Sequence, residues 1–299
     1  MTAGLLLTFA VGILWSLVGV YYKLMAKWDL SVFNISLVTG GMSLLVLTGN
    51  LIFNLSGGGS GSAVPLPDAG YLLFVLASGF VNSGGSLILQ RSMVHGKSCV
   101  TWAIGQSALV IPFLSITLIF GEPWNLYRVA GTAIILSGMV ILSLRSGGDS
   151  AAPRPGYGIA LALIAFAVLG LAQSMTAATS FFRYEDSACV RPVLQSIGAL
   201  MAVVAGKMLL HDKGFRLNSK ALKIILLLVI QGVIATLLQF KALDLLKADN
   251  MNNAFFPIAI GICIAGYSIW SMVFFREKPN RYIIAGTLGI LAGIAAYLF

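Results

Sequence analysis

Two pairs of side-chain amides interrupt otherwise apolar runs. "NSGGSLILQ" places Asn82 and Gln90 eight residues apart, and "QGVIATLLQ" places Gln231 and Gln239 at the same spacing. Eight residues are a little over two helical turns, so each pair reads as one helix face. Amides offer donors and acceptors without charge, which suits hydroxyl-rich or zwitterionic ligands. The other polar and amphipathic side chains in apolar runs are Trp15, Asn34, Trp102, Gln106, Gln173, Arg191, Gln195, Lys241, Asn252, Asn253 and Tyr267. Lipid penalises unpaired polar groups, so such residues should face a bundle interior. Any one amide, taken alone, reads first as a hydrogen bond between neighbouring helices. The set reads as the lining of a polar cavity. The candidate substrate-binding residues are Trp15, Asn82, Gln90, Trp102, Gln106, Gln173, Gln195, Gln231, Gln239, Asn252, Asn253 and Tyr267. Trp102 and Tyr267 have the rings to stack on a sugar or aromatic solute, and both also suit packing or anchoring at the interface.

Charged residues are few. Lys241, Asp244 and Lys247 follow at three-residue spacing, consistent with a charge cluster at the mouth of a helix or with a helix end reaching the headgroups. Arg191 precedes Pro192 at a helix start, which places it near an interface, with contact to an anionic substrate group left open. No carboxylate falls deep in an apolar run, so no midplane proton relay is visible. Facilitated diffusion and cation coupling through amide and backbone oxygens both stay open. No phosphate loop, His-Glu metal motif or nucleophile elbow occurs, so the chain reads as a non-enzyme with no cofactor.

Composition dictates the elements that hold these residues. Of 299 residues, 58% are hydrophobic and 10% charged, and mean hydropathy is +0.93. A water-exposed surface needs about a quarter charged residues, so the expected class is an all-α membrane protein. Ten runs approach the ~20 residues that span a bilayer: 3–23, 31–54, 69–91, 98–120, 126–144, 157–181, 189–210, 220–245, 250–275 and 280–299. The first run has no basic leader or small-residue cleavage site and reads as a retained span. Cys99, Cys189 and Cys263 lack metal-ligand spacing and read as buried small hydrophobes.

The chain also repeats itself. "GEPWNLYRVAGTAIILSG" returns 155 residues later as "REKPNRYIIAGTLGILAG", with Glu122 on Glu277, Tyr127 on Tyr282 and Gly138 on Gly293. Each Glu stands just before a helix start, where a carboxylate accepts from free backbone N–H groups. The reading is a five-helix repeat over 1–144, a linker at 145–156 and a second repeat over 157–299. Five is odd, so the second repeat enters the membrane from the opposite side and the repeats are inverted, an arrangement of secondary transporters. Fourteen of the nineteen Lys and Arg fall on one side, which the positive-inside rule makes cytoplasmic, with both termini outside.

Two five-span halves with a Glu before each Gly-rich final span resemble the drug/metabolite transporter superfamily. "LKADNMNNAFFPIAIGICIAGYSIWSMVFFREK" also resembles that superfamily's ninth span and its flanks. The second span lacks the Arg frequent in the EamA-type branch, and the "FREKPN" turn and Gln-rich spans lean towards the bacterial sugar-uptake branch. The resemblance implies a ten-span secondary transporter of the bacterial inner membrane that moves a small polar metabolite, a sugar or similar, by alternating access. The alternatives are an exporter of amino-acid-like metabolites or drugs and, more distantly, a membrane enzyme or a scaffold. The expected partners are a small-molecule substrate and the lipid bilayer, with a homodimer open and nucleic acid excluded.

Overall fold

The computed structural model describes residues 3–28, 30–54, 68–95, 98–144, 155–182, 190–210, 218–276 and 280–299. Among them are helices α1 (Ala3–Lys27), α2 (Val32–Phe53), α3 (Ala69–His95), α4 (Ser98–Gln106), α5 (Val110–Ile119), α6 (Leu126–Ser143), α7 (Pro155–Ala178), α8 (Val190–Leu210), α9 (Ser219–Ala248), α10 (Phe255–Phe275) and α11 (Arg281–Ala296). No strand occurs among the described residues. Nine stretches, α4 and α5 forming one of them, are long and apolar enough to cross a membrane, and α11 is apolar but shorter. The chain is an integral membrane protein. Its outward face carries apolar side chains such as Leu45, Phe53, Leu118, Leu209 and Leu288, which suit lipid.

Local chemistry sets the helix ends. Asn125, Asn218 and Asn280 each accept from backbone N–H groups in the first turn of α6, α9 and α11, and Asp68 does so for α3 through Tyr71 N. Such caps each contribute about 1 kcal/mol. The fourth span is interrupted by a single 3₁₀ turn, Ser107–Leu109. Pro112 explains it: proline has no N–H for the Ala108 carbonyl four residues back, and its ring crowds that oxygen.

The helices of the two chain halves interleave. α3 packs on α7 and α8, and α4 and α5 pack on α7; these five form one group. α1 packs on α9 and α10, and α2 packs on α9; these four form a second group. The groups meet where α2 touches α8, where α8 and the turn after α7 touch α9, and where α5 touches the start of α10, while α6 and α11 pair with each other. Lipid is as apolar as the helices, so small residues that admit close backbones drive packing. Gly131 and Gly138 of α6 lie so near Gly293 and Gly286 of α11 that a Cβ would stand 2.7–2.8 Å from the opposing carbonyl oxygens. The contact is reciprocal, since a Cβ on Gly293 or Gly286 would meet the carbonyls of Gly131 and Gly138 at the same distances.

Candidate functional site

A cavity of about 330 Å³ lies between the two helix groups. α3 contributes Asn82, Ser86 and Gln90, four residues apart along one helix face. α4 adds Trp102 and Gln106, the latter at the edge of the 3₁₀ turn; α7 adds Gln173 and Thr176; α8 adds Gln195 and Ser196. From the second group come Trp15 and Tyr22 of α1, Thr236 and Gln239 of α9, and Phe256 and Cys263 of α10. Six amides and four aromatic rings therefore surround one space, and no charged side chain lines it among the described residues.

Several groups in the wall are already paired. Gln195 Nε2 donates to Thr176 Oγ1 at 3.0 Å, and Trp15 is stacked against Phe256 with centroids 6.5 Å apart. Two buried atoms have no protein partner: Trp102 Nε1, a donor, and Gln173 Oε1, an acceptor. A buried polar atom without a partner is costly, and a hydroxyl-bearing solute can satisfy both of these.

Eight of the twelve candidate residues share this cavity: Trp15, Asn82, Gln90, Trp102, Gln106, Gln173, Gln195 and Gln239. The other four have different surroundings. Gln231 donates to the Leu14 carbonyl at 2.7 Å and ties α9 to α1. Eight residues overshoot two turns by about 80°, so the spacing alone does not put both members of a pair on the cavity: Asn82 and Gln90 both line it, whereas of the second pair only Gln239 does. The Tyr267 ring lies on Gly19, where a Cβ would stand 2.5 Å from it. Asn252 and Asn253 are buried at a second feature, a clamp built on Glu122.

Glu122 sits in the turn between α5 and α6 and is 5% exposed. Its oxygens accept from the backbone N–H groups of Asn252, at 2.6 Å, and Asn253. Arg128 closes the cluster by donating to the carbonyls of Pro123 and Asn250 and to Asn253 Oδ1. Glu122 thus caps the 3₁₀ turn that begins α10, whereas α6, the helix it precedes in sequence, is capped by Asn125. The expected carboxylate cap is real but serves a different helix. Burial pushes the Glu122 carboxyl above its ordinary range, against the pull of the two backbone N–H groups and the Arg128 charge. Glu277 lies outside the described residues. A glutamine at 122 has one oxygen for two N–H groups, so Glu122→Gln should cost about 1.5–3 kcal/mol of stability. The expected readout is a lower thermal midpoint.

The remaining polar residues find partners elsewhere. Asn34 accepts from Lys207 Nζ at 2.6 Å. Asp244 turns to Arg191, while Lys241 and Lys247 are exposed, so the three do not act as one cluster. Cys263 borders the cavity and is not a fully buried hydrophobe; the Cys99 side chain and Cys189 lie outside the described residues. Tyr22, Ser86, Thr176, Ser196 and Thr236 line the cavity but carry too little polarity to stand out in sequence. The available signal was adjacency: each of the last four lies one, three or four positions from a lining amide.

No protein-family model matches the chain, and no curated protein matches it. Among solved structures, one described as "Crystal structure of protein" is similar over 100% of this chain and 99% of that chain, with a TM-score of 0.75 and 14% identity. At that identity the likeness concerns the fold alone.

Proposed function

We propose that the chain is a secondary transporter, not an enzyme, for a small uncharged hydroxyl-rich solute such as a sugar, and that it works by alternating access. The observation that carries this reading is the 330 Å³ cavity between two helix groups, lined by amides and aromatic rings. Amides pair with hydroxyls in either direction, and aromatic faces suit the apolar face of a sugar ring. The 3₁₀ turn beside Gln106 fits the broken helices that border transporter sites.

The helix pairings also support an inverted repeat. A shift of one half maps α1 onto α7, α2 onto α8, α3 onto α9, α4 and α5 onto α10, and α6 onto α11. Under that mapping, α3 on α7 becomes α9 on α1, and α4 on α7 becomes α10 on α1; both pairings occur. The glycines 155 residues apart exchange places in the α6–α11 contact, and Asn125 and Asn280, also 155 apart, both cap. A reciprocal contact of this kind is what a pseudo-two-fold axis in the membrane plane, and so an inverted repeat, requires. This arrangement and the repeated Glu-containing turns favour membership of the drug/metabolite transporter superfamily.

Trp15 and Trp102 make the cavity its own reporter. Titration of the purified protein with hexoses should change tryptophan fluorescence saturably, and Trp102→Phe should remove much of the signal. A response to amino acids with none to sugars would overturn the solute class.

A further inference from the structure

We propose that Arg191 and Asp244 form a releasable latch that closes the cavity at one membrane face. Arg191 stands at the start of α8 and is 2% exposed. Its two terminal nitrogens engage both oxygens of Asp244 in the last turns of α9, and its guanidinium lies 5.0 Å from the Phe240 ring centroid. α8 belongs to the first helix group and α9 to the second, so both contacts bridge the groups between which the cavity lies.

The latch sits directly over the cavity wall. Arg191 precedes Gln195 by four residues, on the same face of α8. Gln195 donates to Thr176 in the cavity wall, and one turn further out Arg191 donates to Thr179, at 3.4 Å. These two rungs fix the guanidinium to the first group, and Asp244 and Phe240 complete the crossing from the second.

Two features suit this pair to release. Asp244 is 38% exposed on its side chain, so water reaches the carboxylate and can replace the guanidinium by a rotamer change. Arg191 Nε is buried without a partner, so the closed state leaves one donor unsatisfied. The Glu122 clamp on the same face is different in kind, because releasing it would uncap α10. Of the two ties, the ion pair is the one able to open while helices stay intact.

The inference rests on the alternating-access reading, but its test does not measure transport. Ser86→Cys, in a background with Cys99, Cys189 and Cys263 changed to serine, places a single thiol in the cavity. A membrane-impermeant methanethiosulfonate cation is applied from the Arg191 face of oriented vesicles. Labelling should be slow with the pair intact and at least about tenfold faster after Arg191→Met or Asp244→Asn. Exchanging the two residues should slow it again. Equal rates in the parent and both single variants would overturn the latch, as would an exchanged pair that labels as fast as the single variants. Asp244→Asn preserves shape and supplies the reading if Arg191→Met does not fold. A chain that moves solute but labels independently of the pair loses the latch alone; one that labels as expected but moves nothing loses the transport reading alone.

Discussion

Gly198→Ala and Gly79→Ala should each destabilise the protein strongly and lower its thermal midpoint far more than a neutral glycine substitution. A Cβ on Gly198 would stand 1.9 Å from the Leu76 carbonyl oxygen, and one on Gly79 would stand 2.0 Å from that of Gln195. Both obstacles are backbone, so no rotamer relieves them and α3 must part from α8. Overpacking usually costs about 1–3 kcal/mol. Two helices held backbone to backbone place these changes at or above the top of that range, against a total stability of about 5–15 kcal/mol. Gly84→Ala, on the same helix with nothing within 4 Å of the added carbon, is the control. It should be neutral or slightly stabilising, because alanine favours helix over glycine by about 0.5–1 kcal/mol. Thermal unfolding followed by size exclusion separates the three, and equal behaviour of Gly79→Ala and Gly84→Ala would refute the close approach.

The second large effect concerns affinity. Gln90 and Gln239 come from opposite helix groups and face the same cavity. Each Gln→Leu change removes donor and acceptor at roughly constant volume. A lost hydrogen bond of ~0.5–1.5 kcal/mol weakens binding about two- to twelvefold. If both amides hold one solute molecule, the double variant should lose roughly the product, about five- to 150-fold. Thermal stability should change little. Lower stability with unchanged affinity in the surviving protein would make these amides helix-bonding groups and remove them from the site.

Much of the fold was legible in the chain because lipid imposes a simple rule on it. Span length and apolar composition placed nearly every helix within a few residues, from 31–54 against Val32–Phe53 to 250–275 against Phe255–Phe275 with its preceding 3₁₀ turn. The break in the fourth span was missed, although Pro112 signals it. The site was legible only in part. Asn82 and Gln90 share the cavity because α3 turns that face inward, but sequence spacing alone does not say which way a helix is turned. Gln231 was lost to that rotation. Asn252 and Asn253 were lost because their partner, Glu122, lies about 130 residues away and is brought to them by packing. The Arg191–Asp244 pair was hidden for the same reason: the Asp244 neighbours in sequence, Lys241 and Lys247, are not its partners in space.

Counterflow in proteoliposomes tests the central claim most directly. Vesicles preloaded with an unlabelled hexose should accumulate the labelled hexose transiently, faster than protein-free vesicles. The Gln90→Leu, Gln239→Leu double variant should need a higher concentration for the same rate. No accumulation of any sugar by folded protein, or accumulation indifferent to the double change, would contradict transport through this cavity.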